Sequence, residues 1–284
     1  MIIPTIATAA VGAATIILSA ASMSNMYETY ALVQHHRHPS PHSSSSSAAA
    51  LSSSSLASSP PAVVSKAKAW RTIDDALEGL ENMKKKDLVE LFLHCNSPSI
   101  SDLAFGDGEQ EMRYDGYLLD NGPILTPVTN FITNRLFGRG NRWLGKAYLS
   151  PTSSSNKGGI GKNRFSGNHE QKLPTAASNT PDEFLDRTFD YSIGTSILPS
   201  PTSKSLFNRY APHCPSLSPM SLIWRGMVDE LRVLALEDES GKAKDENMTI
   251  LLGMGYFTWS GGAWNLSPFC LVVRQCGSER QKIE

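Results

Sequence analysis

The chain has 284 residues, 40% of them hydrophobic and 19% charged, with 26 basic against 27 acidic side chains. A balance this close to zero argues against a polybasic nucleic-acid binder and against a strongly acidic tail protein. The charged fraction lies below the roughly 25% of ordinary globular domains, and the shortfall is local: across residues 1–69 the only acidic side chain is Glu28, and the basic ones are Arg37, Lys66 and Lys68. Residues 70–284 carry 23 basic and 26 acidic side chains, a mildly acidic remainder.

Residues 1–21 read as a signal peptide or signal anchor. Positions 2–21 carry no charge and are mostly Ile, Ala, Val and Leu. About 20 apolar residues suffice to cross a bilayer as a helix. Ser19-Ala20-Ala21 also offers a small-residue end of the kind that is cleaved. Residues 22–69 read as a disordered linker or transit segment. Thirteen of the 31 residues from 35 to 65 are Ser, too few apolar groups to offset the entropy of ordering. Acid-poor, Ser-rich sequence also suits a plastid transit peptide. The expected address is therefore the secretory pathway or a membrane anchor, with a plastid reached if signal and transit segments act in series. His35, His36, His38 and His42 fall in this linker beside Pro39 and Pro41 and read as part of an extended polar tract.

The segment from 70 to about 94 has helical periodicity. Ile73, Leu77, Leu80, Leu88 and Leu91 recur close to a 3.6 period, and a break falls near Lys86-Asp87. Beyond it the chain reads β, with candidate strands at 112–120, 142–149, 185–198, 205–210, 222–236, 249–257 and 268–276. Residues 128–137 read as a short helix ending at Gly138. The Ser/Gly/Asn/Lys-rich stretch 150–182 has no apolar period and reads as a disordered loop insertion. Strands in one run without βαβ alternation predict a mainly β fold, an antiparallel barrel preceded by a helical segment, over residues 70–284.

The densest functional stretch is Trp224-Arg225-Gly226-Met227-Val228-Asp229-Glu230-Leu231-Arg232. On a strand, Trp224, Val228, Glu230 and Arg232 share one face, and Arg225, Met227, Asp229 and Leu231 share the other. Charges thus fall on both faces, so at least one carboxylate is expected at or inside the barrel, paired with Arg. It would serve either as a structural ion pair or as a polar anchor for a ligand. Gly253-x-Gly255 puts two glycines on one strand face, which permits close approach by a neighbouring side chain or a ligand. The cysteines Cys95, Cys214, Cys270 and Cys276 lack C-x-x-C spacing, so no metal is expected. No G-x-S-x-G, H-E-x-x-H or phosphate-loop pattern occurs, so no catalytic residue and no cofactor are assigned.

The helix ending Asp87-Leu88-Val89-Glu90-Leu91-Phe92, the strand with Trp143-x-Gly145-Lys146 and the strand with Asp229-x-Leu231-Arg232, together with Tyr114-Asp115-Gly116-Tyr117, carry a resemblance. In this order they resemble the Gly-x-Trp-x-Gly domain family and its companion domain, lipocalin-like proteins of undetermined function. Tyr114 stands where that family has its naming Trp, and Leu231 stands where its strand has Phe. The resemblance implies a small barrel with an apolar cavity.

Three functions are consistent with these residues. The first is a lipocalin-like barrel that binds a small apolar or amphipathic ligand, a lipid or pigment, with Tyr114, Trp143, Tyr191, Trp224, Arg232 and Tyr256 lining it and Asp229 or Glu230 as polar contacts. The second is an enzyme of cyclase or isomerase type, using Asp229 or Glu230 as a base on a hydrophobic substrate. The third is a membrane-tethered interaction module with a filled interior. The expected partners are a small hydrophobic ligand and, if the leader is retained, a membrane.

Overall fold

A computed structural model describes residues 61–100, 103, 111–138, 140–149, 158–167, 188–196, 204–210, 226–236, 250–257 and 267–273. The 1–21 leader, the histidine-rich tract, Trp224, Cys214 and Cys276 lie outside the described residues.

Eight strands run β1 (Glu111–Leu118), β2 (Trp143–Leu149), β3 (Gly159–Phe165), β4 (Thr188–Thr195), β5 (Lys204–Arg209), β6 (Met227–Leu234), β7 (Ile250–Phe257) and β8 (Ser267–Val272). Each pairs antiparallel with the next, and β8 pairs back to β1, so the sheet closes into an up-and-down barrel. Closure leaves no unpaired sheet edge.

Seven of these strands fall on the predicted segments, with ends that differ by up to five residues. The eighth, β3, lies inside the stretch expected to be an irregular insertion, and that expectation is corrected here. The inward positions of Gly-Ile-Gly-Lys-Asn-Arg-Phe are Gly159, Gly161, Asn163 and Phe165, of which Phe165 alone is apolar and large, so little apolar alternation is left to read. Gly161 gives way to the Phe189 ring, and Asn163 hydrogen-bonds inside the barrel.

Three helices precede the barrel: α1 (Ala62–Ala67), α2 (Ile73–Glu81) and α3 (Lys85–His94). Helix α1 falls within residues expected to be a disordered linker. It is ordered because Ala67 and the half-buried Val63 pack into the helical layer. Thr72 opens α2 with a capping box: its Oγ1 accepts from Asp75 N at 3.0 Å, while Asp75 Oδ2 accepts from Thr72 N at 3.1 Å.

Two cores result. Leu77, Leu80, Leu88, Leu91 and Phe92 of the helices pack on the outer faces of β6, β7 and β8 through Val228, Leu252, Met254, Tyr256, Cys270 and Val272. The second core fills the barrel and holds Tyr114, Trp143, Tyr148, Phe189, Tyr191, Leu231 and Phe269. Strands β7 and β8 are therefore buried on both faces, which is why they read as nearly continuous apolar runs.

Between β1 and β2 the chain forms a cap: α4 (Leu125–Asn130) runs directly into a π-helical turn (Phe131–Phe137). The helix foreseen at 128–137 is thus two pieces with different winding. Gly138 N closes the cap by donating to Thr133 O at 2.9 Å. π-Helical turns are rare and concentrate at functional sites.

Candidate functional site

Strand β2 would place alternate residues on opposite faces, yet Trp143 and Lys146, three apart, both enter the barrel. The register shifts between Trp143 and Gly145. Gly145 has φ 122°, and a Cβ there would meet Tyr114 O at 2.2 Å, so only glycine fits. This bulge turns Trp143 inward while Lys146 and Tyr148 keep the inward phase.

Lys146 Nζ lies 2.8 Å from Asp229 Oδ2, and donates to Asn163 Oδ1 at 2.9 Å and to Tyr210 OH at 2.6 Å. Tyr210 OH donates in turn to Asp229 Oδ2 at 2.7 Å, and Trp143 Nε1 donates to Asn163 Oδ1 at 3.2 Å. The ammonium also stands over the Phe189 ring at 4.7 Å and near those of Tyr210 and Phe269 at 5.3 and 5.6 Å. Burial lowers the Lys146 pKa, and the adjoining Asp229 carboxylate opposes that shift. Burial holds the Tyr210 hydroxyl well above the ordinary tyrosine value, with Asp229 adding to it, so Tyr210 remains a proton donor.

This network forms one wall of a cavity of about 60 Å³ under the cap. Leu118, Trp143, Phe165, Met227 and Phe269 supply its apolar surface, and Thr129 and Thr133 line it from the cap. Ser267 Oγ and Thr129 Oγ1 meet at 3.4 Å, and Asn121 Nδ2 donates to both. Gly255 keeps the wall open: a Cβ there would stand 3.0 Å from Asp229 Oδ1. Gly253, two residues back, admits the Phe269 ring where a Cβ would sit. Close approach by a neighbouring side chain is thus what the Gly253-x-Gly255 pattern provides.

The far half of the barrel is packed with edge-to-face rings. Tyr148 sits 5.5 Å from Tyr114, 5.5 Å from Phe189 and 5.2 Å from Tyr191 between centroids. Asn208 Nδ2 donates to Tyr148 OH at 3.1 Å, and Tyr191 OH donates to Leu149 O.

The structure divides the sequence-derived candidates. Trp143 and Asp229 line the cavity. Tyr114 and Tyr191 are inside the barrel but in its packed half. Glu230, Arg232 and Tyr256 do not line the interior, which corrects their expected placement. They sit on the outer face, where the helices cover them. Glu230 Oε1 accepts from Ser205 Oγ at 2.7 Å and from Ser196 Oγ, with Arg232 Nη2 at 3.4 Å. Arg232 Nη1 donates to Phe92 O and Leu93 O, both at 3.3 Å, and the guanidinium lies 4.6 Å from the Phe92 ring centroid. That is a structural ion pair joining barrel to helices.

Sequence reasoning assigned no site role to Lys146, Asn163 or Tyr210. Tyr210 had a usable signal, since it directly follows β5 and keeps the parity of the inward Leu206 and Asn208. Comparison of the chain with family models, with curated proteins and with solved structures finds no match.

Proposed function

We propose that the chain is a lipocalin-like binding protein whose barrel receives the end of a small apolar or amphipathic ligand, a lipid or pigment. One observation carries this: a cavity that joins apolar walls of Trp143, Phe165 and Phe269 to the enclosed Asp229–Lys146–Tyr210 group. Ligand sites typically combine apolar lining with a few convergent polar groups. Asp229 Oδ2 is occupied by two donors. Its Oδ1, beside Gly255, is the acceptor offered to a ligand hydroxyl or amine.

The cavity's size limits what enters. About 60 Å³ has room for a few waters or for one end of a ligand. A whole lipid or pigment would need the Leu125–Phe137 cap to move aside. The resemblance to the lipocalin-like Gly-x-Trp-x-Gly proteins supports the same class. Binding is favoured over a base-catalysed reaction because Lys146 and Tyr210 compete with any substrate proton for the Asp229 carboxylate.

The test is organic extraction and mass spectrometry of the purified full chain, alongside displacement of a fluorescent fatty-acid probe. One apolar molecule per chain is expected, with probe binding lost in Gly255→Val, whose side chain would enter the cavity beside Asp229. A chain that yields no bound molecule and takes up no probe would rule out this function.

A further inference from the structure

A helix that packs on a water-exposed protein turns its apolar stripe to the core and leaves polar residues outside. The cap does the first, with Ile132 packed on the barrel core and Thr129 and Thr133 lining the cavity, but not the second: Ile124, Pro127, Phe131 and Arg135 are exposed. Those four positions are spaced three or four apart, so they lie along one side of the cap. Ile124 is 60% and Phe131 51% exposed, and they are the exposed large hydrophobic side chains among the described residues. Scattered apolar residues on a surface need no explanation. Two of them aligned on an element whose other side lines a cavity do.

Charge indicates what covers this face. Residues 121–142 contain Arg135, Arg139 and Arg142 and no acidic side chain, whereas residues 70–284 as a whole carry an acidic excess. Arg135 and Arg142 are exposed. The acid next to this stretch, Asp120, is engaged by Gly122 N at 2.9 Å and Thr126 Oγ1 at 3.0 Å. A two-fold contact with a second copy would set this cationic patch against itself. An anionic lipid surface meets both properties: phosphates receive guanidinium groups, and the headgroup–acyl boundary receives short apolar side chains. Among the described residues no helix is long and apolar enough to cross a membrane, and docking of this kind requires none.

We propose that the outer face of the cap, Ile124, Pro127, Phe131 and Arg135, together with the exposed Arg142 that follows the cap, docks on an anionic lipid bilayer. Docked in this way, the cap lies between the bilayer and the cavity. The inference rests on the cap's outer face alone and stands whether or not the cavity holds a ligand.

Residues 1–21 would themselves bring the full chain to vesicles, so the measurement must be local. Hydrogen–deuterium exchange of the full chain is followed in peptides spanning 121–142. It is recorded without vesicles, with phosphatidylcholine vesicles, and with phosphatidylcholine–phosphatidylglycerol vesicles. The expected result is slowed exchange of the cap on the anionic vesicles and less on the neutral ones. Ile124→Ser with Phe131→Ser removes the slowing. Arg135→Glu with Arg142→Glu removes the preference for anionic lipid, at about five-fold in affinity per arginine. Exchange unchanged by vesicles overturns the proposal, as does slowing that survives the double serine change. Equal slowing on neutral and anionic vesicles also overturns it, because the occupant proposed is an anionic surface. Slowing that appears with protein concentration and without vesicles assigns the face to a second copy and also overturns it. All four positions are exposed, so the substituted chains should match the parent in near-ultraviolet circular dichroism and in vesicle-free exchange.

Discussion

Lys146 Nζ meets Asp229 Oδ2 at 2.8 Å across the inside of the barrel, with both side chains 2% exposed. Two charges withdrawn from water this completely depend on each other. Removing one leaves the other buried and uncompensated, at about 3–5 kcal/mol. Lys146→Met and Asp229→Leu should each destabilise the domain by about that amount, whereas the double change should recover most of the loss. Urea denaturation of the four chains gives the coupling energy. Single variants as stable as the parent would show that the pair holds nothing together.

The two β7 glycines should separate packing from site shape. A Cβ on Gly253 would stand 2.3 Å from the Phe269 ring, which rests edge-to-face on Trp143 at 5.8 Å. The ring has nowhere to go without disturbing Trp143, so Gly253→Ala should cost about 1–3 kcal/mol, as overpacked cores do. A Cβ on Gly255 meets Asp229 Oδ1 at 3.0 Å, which a small shift of the carboxylate relieves. Gly255→Ala should therefore change stability by less than about 1 kcal/mol while weakening ligand capture. Thermal unfolding together with probe titration of both variants would distinguish the two positions. Equal stability losses would contradict this division.

How far the sequence revealed this molecule depended on whether one face or two were buried. Strands such as β1, β4 and β6 showed their alternation or their charges, and their positions could be read directly. Gly161 and Asn163 hid β3, because the inside of the barrel at that point demands a small residue and a polar one. Asp229 was legible as a charge on an apolar strand. Glu230 and Arg232 were equally legible, but their side was not. The rule that one strand face looks to the core and the other to water fails where α3 covers the outer face of β6. Lys146 was obscured by the Gly145 bulge: strict alternation would put Lys146 and Trp143, three apart, on opposite faces, and the bulge brings both inside.

Arg232 ties the helical layer to the barrel. It donates to the carbonyls of Phe92 and Leu93 at the end of α3, and its Nε donates to Ser205 Oγ at 3.0 Å. Those carbonyls lie in the last turn of α3, where Phe92 O also accepts from Cys95 N at 3.2 Å, and a cation there complements the helix dipole. Arg232→Met removes these bonds and strands Glu230 under the helices, a loss expected at about 3–5 kcal/mol. Because the contact lies between layers, early proteolysis should move to the segment between α3 and β1. Cleavage there at the parent's rate would mean that apolar contacts alone hold α3 in place.

The stability of the domain should carry a pH signature from Lys85 at the start of α3. Burial lowers its pKa from 10.5 to about 8, and the Asp120 carboxylate only partly opposes the shift. Below pH 8 the amine is charged in both folded and unfolded chains, and the folded state bears the cost of burying it. Between pH 8 and 10.5 the unfolded chain binds the extra proton, so stability contributed by this group rises with pH. The raised thiols of Cys95, pushed up to about 12, and Cys270 act in the opposite direction above pH 9. The measurement must therefore be a difference. Lys85→Met should be more stable than the parent at pH 7, and its advantage should shrink by about 1 kcal/mol per pH unit above pH 8. Denaturant titrations at pH 7, 8, 9 and 10 on both chains resolve this slope. A constant difference across that range would show that Lys85 keeps its solution pKa in the folded protein.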